Sequence, residues 1–491
     1  MKRILRSNTL FALVGLLIHI SGAGVAVAEN QPGQIQLEQS AVPVTTPSQI
    51  AKQEPIQTAP STSVLDSLES QASANVDDNT TSPIYTNNST GSNTLTIDVD
   101  NPQTLLGQVG GFDITSNLRV SQVYTDNLLQ DKDSEIHTFV TNIAPSLQFN
   151  KLDGLNRYNM NYQFDHRNFS ARGRDNITNQ RLSASGLFDF DIRHRLNANI
   201  NYAWLHEMRG RDFSNGFGDQ LTEPTSYNVL NVSTAYIYGS KTAAANLIFD
   251  YRISDINYDS VYLDELNLDD PIPDTDERFD ITADREHQTH TLASTFKYRL
   301  GAFTDMSLRL TYKDTDYDTK RYNQASLNNR EYEISGRFAW QGSAITTGYV
   351  DVGYATRSYS DDARSSKQGI RWKAGVLWQP LTYSNVDVST ARQIYEPKGQ
   401  GSYIENANIS LAWHHNWLSR LGSRVAVSFN EDDYGDSTRK DDNRLLNASA
   451  QYQMRDNLKF DVSFTHHQRS SNVADMRFTE NRLSFNVNYQ L

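Results

Sequence analysis

Residues 306–313 read Met306-Ser307-Leu308-Arg309-Leu310-Thr311-Tyr312-Lys313, with apolar and polar side chains in strict alternation. In an extended chain this period of two places the apolar set on one face and the polar set on the other. The same texture recurs in Leu196, Ala198, Ile200, Tyr202 and Trp204, set between Arg195, Asn197, Asn199 and Asn201. It recurs again in Leu458, Phe460, Val462 and Phe464, set between Lys459, Asp461, Ser463 and Thr465. One face of each strand is fit for lipid and the other for water. A soluble β-sandwich alternates too, but with strands nearer five or six residues, whereas these runs are long enough to cross a bilayer when tilted.

The connections between such runs fall into two classes that alternate. Short ones lie near Asp153-Gly154, Ile192 to His194, Gly239-Ser240 and Gly301 to Thr304, then near Gly342-Ser343, Pro380 to Tyr383, Ser419 to Gly422 and Arg455-Asp456. Longer, more polar ones lie near Gln130, Gly173, Asn215, Asp270 and Asn323, then near Asp362, Gly399, Asp436 and Ala474. Short turns on one side of a membrane and long loops on the other are the arrangement of outer-membrane barrels. The sequence therefore predicts an all-β fold, a transmembrane antiparallel up-and-down β-barrel of about eighteen strands over residues 111–491. An even strand number leaves both ends on the periplasmic side. Trp340, Trp378 and Trp417 near short turns, and Tyr124, Tyr258, Tyr317, Tyr395 and Tyr434 near long loops, are expected to form the two aromatic girdles.

Residues 1–28 read as a signal peptide: Lys2, Arg3 and Arg6, then an apolar run from Leu10 to Ile20, then Ala26-Val27-Ala28 as a cleavage pattern. Residues 29–110 are rich in Gln, Ser, Thr, Asn, Pro and Asp and poor in aromatics, and read as a disordered periplasmic arm, with a short amphipathic helix conceivable over 62–72. The chain is 37% hydrophobic and carries a formal charge of -13, which argues against a nucleic-acid partner. It has no cysteine, which excludes disulfides and thiolate metal sites.

If the Leu, Phe and Val positions face lipid, the residues between them line the lumen. Arg195, Lys297, Arg299, Arg309, Arg424, Arg455 and Lys459 then lie towards the periplasmic mouth. Lys313, Arg337, Arg371, Lys373 and Arg482, with Arg157, Arg167, Arg181 and Arg252, lie elsewhere on the inner wall. The acids of that wall are fewer: Asp165, Asp189, Asp191, Asp250, Glu331, Glu333, Asp351, Asp387 and Asp461. Two readings stay open: a basic ring that concentrates anions, and bases that simply pair with acids across the barrel.

Catalytic signatures such as G-x-S-x-G, H-E-x-x-H or a P-loop are missing, and the expectation is a protein that is not an enzyme and has no cofactor. His414-His415 and His466-His467 cannot each hold one metal, because neighbours on a strand point to opposite faces. The acids of the longest loop, Asp259 to Arg285, read as solvated charge rather than a calcium site.

Leu483, Phe485, Val487, Tyr489 and Leu491 alternate to the chain end, which resembles the signal read by the barrel-assembly machinery, with Leu where Phe is commoner. Val123-Tyr124-Thr125-Asp126-Asn127-Leu128, with Ile143-Ala144-Pro145-Ser146-Leu147 after it, resembles the opening of the beta-barrel porin type 2 family. That family's barrels are often encoded with exopolysaccharide or capsule genes. The resemblance implies an outer-membrane barrel that exports or handles an exopolysaccharide, an acidic one given the basic lumen. It would have lipid, lipopolysaccharide and periplasmic export components as partners. The alternatives are a general or anion-preferring diffusion porin, and a plugged structural or adhesin barrel acting through its loops.

Overall fold

The computed structural model describes residues 106–133, 135–262, 280–301, 303–319, 325–343 and 345–491, together with the backbone of 35–38 and 94–97. The expected signal peptide, the possible helix at 62–72 and most of the 29–110 arm lie outside the described residues. Within that arm Ile35–Glu38 pairs antiparallel with Thr94–Ile97. Gly107–Val109 folds back on the opening strand of the barrel, so the sheet begins a few residues before position 111.

Eighteen antiparallel strands close on themselves, as the alternation of turns predicts. We number them β1 (Phe112–Thr125), β2 (Thr138–Asp153), β3 (Asn156–Phe169), β4 (Ile177–Asp189), β5 (His194–Glu207) and β6 (Thr225–Tyr238). There follow β7 (Ala245–Tyr258), β8 (His287–Gly301), β9 (Thr304–Tyr317), β10 (Asn329–Ser343), β11 (Thr346–Tyr359) and β12 (Lys367–Leu381). The last are β13 (Ser384–Tyr395), β14 (Tyr403–Leu418), β15 (Leu421–Gly435), β16 (Lys440–Arg455), β17 (Leu458–Ser471) and β18 (Phe478–Gln490). They run from 12 to 16 residues, about twice the length usual in globular sheets. Each pairs with its neighbours in sequence. Among these described strands, the one distant pairing is the seam, where β18 meets β1 from Arg482↔Thr125 to Gln490↔Asn117.

The outer wall is apolar, and among the described residues nothing covers it. Leu308, Leu310, Ile334, Ile370 and Leu483 are each about half exposed. The polar residues between them are buried or half-buried on the inner side. A sheet whose apolar face is the exposed one needs lipid as its solvent, and closure removes the edges that lipid would leave unsatisfied.

The aromatic girdles follow the parity of each strand rather than nearness to a loop. Trp340, Trp378 and Trp417 lie on the outer wall near short turns, and Tyr124 lies outside near a long loop, stacked on His137. Tyr258, Tyr317, Tyr395 and Tyr434 do not join it. They share the parity of the inward residues and point into the barrel, where Tyr258 and Tyr434 are buried. The rule that aliphatic means outward also fails on β5 to β7. Leu205, Val229, Ile237, Ile248 and Ile256 are buried on the inner face. Some of them are covered by a chain segment inside the barrel.

Candidate functional site

That segment is the connection between β5 and β6, residues 208–224. Instead of standing out from the rim it folds into the barrel, and Met208, Arg209, Arg211, Asp212 and Ser214 are all buried. Its apolar side chains account for the inverted inner faces at Leu205, Val229 and Ile256, whereas Ile237 and Ile248 pack with Ala235. Met208 joins Leu128, Leu129, Val140, Phe169 and Ile177, and Phe213 packs against the cluster containing Leu205, Tyr227, Ile256 and Tyr258.

Ionic anchors hold the loop at points around the barrel. The Arg209 side chain, fully buried, forms a bidentate pair with the equally buried Asp175 of the 170–176 loop, Nε to Oδ1 at 2.6 Å and Nη2 to Oδ2 at 2.8 Å. Its remaining nitrogen closes the loop on itself, donating to the carbonyls of Gly218 and Leu221. Arg211 donates to Glu480 of β18 at 3.2 Å. Asp212 takes a left-handed backbone conformation, φ 45°, and meets Lys398 of the 396–402 loop. Arg285 lies over the Phe213 ring at 4.5 Å and pairs with Glu207 at 3.4 Å. Lys398 follows β13, half the circumference away from β5. A loop tied to both sides of a barrel crosses its lumen.

The crossing depends on close approach of backbone. At Gly210, φ 75°, a Cβ would fall on the Leu129 carbonyl, and at Gly218 it would fall on the backbone of Gly210. Only glycine fits two backbones so near each other.

The basic residues expected in the lumen lie on the inner wall, in two groups and a scatter. Arg195, Lys297, Arg299, Arg309, Arg424 and Lys459 lie nearer the short-turn end. Several already have partners: Arg195 donates to Gly239 and Asn246, Lys297 pairs with Asp305 at 3.3 Å and Arg309 with Asp250 at 3.5 Å. Arg455, the last residue of β16, and Asp191, beyond the end of β4, are exposed at turns and leave the lumenal set, since the alternation does not extend into a turn. Lys313, Arg337, Arg371 and Lys373 share the wall of β9 to β12. There Arg357, fully buried, sits between Glu331 at 2.9 Å and Glu396 at 3.2 Å, Lys313 reaches Glu396 at 2.8 Å, and Arg371 reaches Glu331 and Glu333. Its acids, Glu331, Glu333 and Glu396, neutralise only part of that charge. Burial alone would raise the pKa of Glu396, but Arg357 and Lys313 hold it down at about 2.

Arg482 belongs to the other group, beside the crossing loop. It lines a cavity of about 90 Å³ with Arg119, Arg167 and Arg211. Glu480 accepts from Thr125 at 2.9 Å, Gln130 at 2.9 Å and Arg211, and Asp165 accepts from Arg167 at 2.8 Å and Asn142 at 3.2 Å. Four guanidinium groups therefore face two carboxylates.

The sequence reading did not single out Arg119 and Arg357, although both obey the parity of their strands. Glu207 and Glu480 also obey the parity of their strands and were passed over, whereas Arg209, Arg211 and Glu396 carried no signal, because which way a loop folds is not written in period two. The Asp126-Asn127 pair of the opening motif has a structural task. Asp126 accepts from the backbone and side chain of Asn481, each at 2.7 Å, and Asn127, wholly buried, donates to the Thr479 carbonyl at 3.0 Å. The motif clasps the seam. Among the described residues no cluster of His, Asp or Glu is arranged to hold a metal ion.

A family model described as Putative beta-barrel porin 2 matches residues 105–491. OccK2 (OpdF) of Pseudomonas aeruginosa, solved in complex with glucuronate, is similar over 78% of this chain and 100% of its own, at 9% identity and a TM-score of 0.44. A BenF-like porin from Pseudomonas fluorescens is similar over 77% and 98%, at 9% identity and 0.43. The FrpB iron transporter from Neisseria meningitidis is similar over 78% and 83%, at 10% identity and 0.45. No curated protein matches the chain. This is a porin-like β-barrel, and the chain belongs to the Putative beta-barrel porin 2 family.

Proposed function

We propose that the protein lies in the outer membrane, its short turns in the periplasm and its long loops outside, and acts as a constricted channel that prefers small anionic solutes. The observation that carries this reading is the 208–224 loop, tied across the lumen next to more guanidinium groups than carboxylates. A narrow, low-dielectric passage with an excess of fixed positive charge favours anions both in approach and in residence. The wall of β9 to β12, whose bases are partly neutralised by Glu331, Glu333 and Glu396, adds polarity and some further positive charge.

Export of an acidic polysaccharide, which the family resemblance implies, would use the same bases but would require the crossing loop to leave the lumen. A plugged barrel acting through its loops would keep the loop in place and pass nothing. Planar-bilayer recording of the full chain separates the three. The expected result is a small conductance whose reversal potential in a salt gradient has the sign of anion selectivity. Cation selectivity would overturn the reading, and so would a closed barrel that stays closed when the loop's anchors are cut.

A further inference from the structure

The cavity beside the crossing loop contains hydrogen-bond donors that the protein itself does not use. Arg167 and Arg211 are both more than nine-tenths buried, yet Arg167 Nη2 and Arg211 Nε and Nη1 have no acceptor within reach, and neither does Nε of Arg119. The carboxylates of the cluster are not short of partners. Glu480 already accepts from three side chains, and Asp165 from two. Desolvated guanidinium N–H groups left over after every nearby carboxylate is engaged are destabilising unless something accepts from them.

We propose that this cavity, between the crossing loop and the wall of β17, β18, β1, β2 and β3, is a binding site for one oxyanion group, the carboxylate or phosphate of a solute. Three features fit that ligand. Guanidinium groups present planar forks that match the spacing of carboxylate and phosphate oxygens. A cavity of about 90 Å³ has room for such a headgroup with a water or two. Val123, Val140, Phe169 and Met208 supply an apolar margin that keeps the local dielectric low and strengthens each charge-assisted bond. Asn142 Oδ1, also without a partner, can accept the proton of a monohydrogen phosphate or of a trapped water.

The site's role as a selective stop in transit rests on the channel reading above, whereas its occupancy does not. The test is isothermal titration of the full chain in detergent with inorganic phosphate, with acetate and, as a neutral control, with glucose. We expect saturable one-to-one binding of phosphate or acetate, none of glucose, and about tenfold or greater weakening in Arg167→Gln and in Arg119→Gln. Arg119 does not hold the crossing loop, so its variant separates loss of the site from loss of the loop. Heat-modifiable electrophoretic mobility shows that the barrels are folded. The proposal is overturned if neither anion binds saturably, or if both variants bind as tightly as the parent. Binding without conductance would keep the site and remove the channel. Anion conductance without binding would do the reverse.

Discussion

Replacing Asp175 by Asn isolates the force that keeps the crossing loop inside the barrel. The substitution keeps the side chain's size but leaves the guanidinium of Arg209, fully buried, facing a neutral amide in place of a carboxylate held at 2.6 and 2.8 Å. Breaking a buried pair in this way costs about 3–5 kcal/mol. The barrel's ladders do not involve Asp175, so the loop relieves the cost by undocking and returning Arg209 to water. At 1.36 kcal/mol per factor of ten, the ratio of docked to undocked loop should fall by roughly two to nearly four orders of magnitude. Trypsin reads this directly, because cleavage after Arg209 and Arg211 requires both to leave their buried sites. The cleavage rate within 208–224 should rise at least a hundredfold, and single-channel conductance should rise with it. Gly218→Ala, which drives a Cβ into the Gly210 backbone, should give the same two changes by a different route. Cleavage within threefold of the parent in both variants, with conductance unchanged and the barrel intact, would refute the idea that these contacts hold the loop.

Two further outcomes follow from other parts of the molecule. Leu310→Arg places a charge at the middle of β9 on the outer wall, where the side chain is half exposed to what should be lipid, and should destabilise the barrel in bilayers by about 2–4 kcal/mol. The same change at Thr311, on the inner wall, should cost much less, and equal costs in folding titrations would contradict the assigned faces. Glu396, held at about 2 by Arg357 and Lys313, lies below its unfolded value, so its contribution is complete above about pH 4.5 and is lost only as pH falls through about 2. The stability gap between the parent and Glu396→Gln should thus be flat from pH 7 to 5 and close towards pH 2. A gap that closes near pH 6 would show that another group titrates there.

The barrel was legible in the sequence because its rule is local. Period two, turn chemistry and loop length are each set by a few neighbouring residues, and together they determine strand number, faces and the two rims. The interior was legible only as far as that rule reaches. Arg371 and Arg482 were assigned inward by parity, but parity cannot say that Arg371 meets Glu331 while Arg482 borders a cavity. The crossing loop was invisible for the same reason. Residues 208–224 look like any other polar loop, and their fate is decided by Asp175, Glu480 and Lys398, which are far away in sequence. The four tyrosines taken for girdle residues mark the cost of ignoring that interior: they face inward, where Tyr258 meets Phe213 and Tyr317 bonds to Glu396.

Glu480 serves two structures at once. Across the seam it accepts from Thr125 and Gln130, and towards the lumen it accepts from Arg211. The last strand supplies it, so a growing barrel offers the loop no such anchor until the chain's end has found its beginning. The Arg211 tie therefore depends on closure of the barrel. A barrel with its seam ajar would leave Arg211 without its carboxylate, and the loop would rest on Asp175 and Lys398 alone until the circle closes.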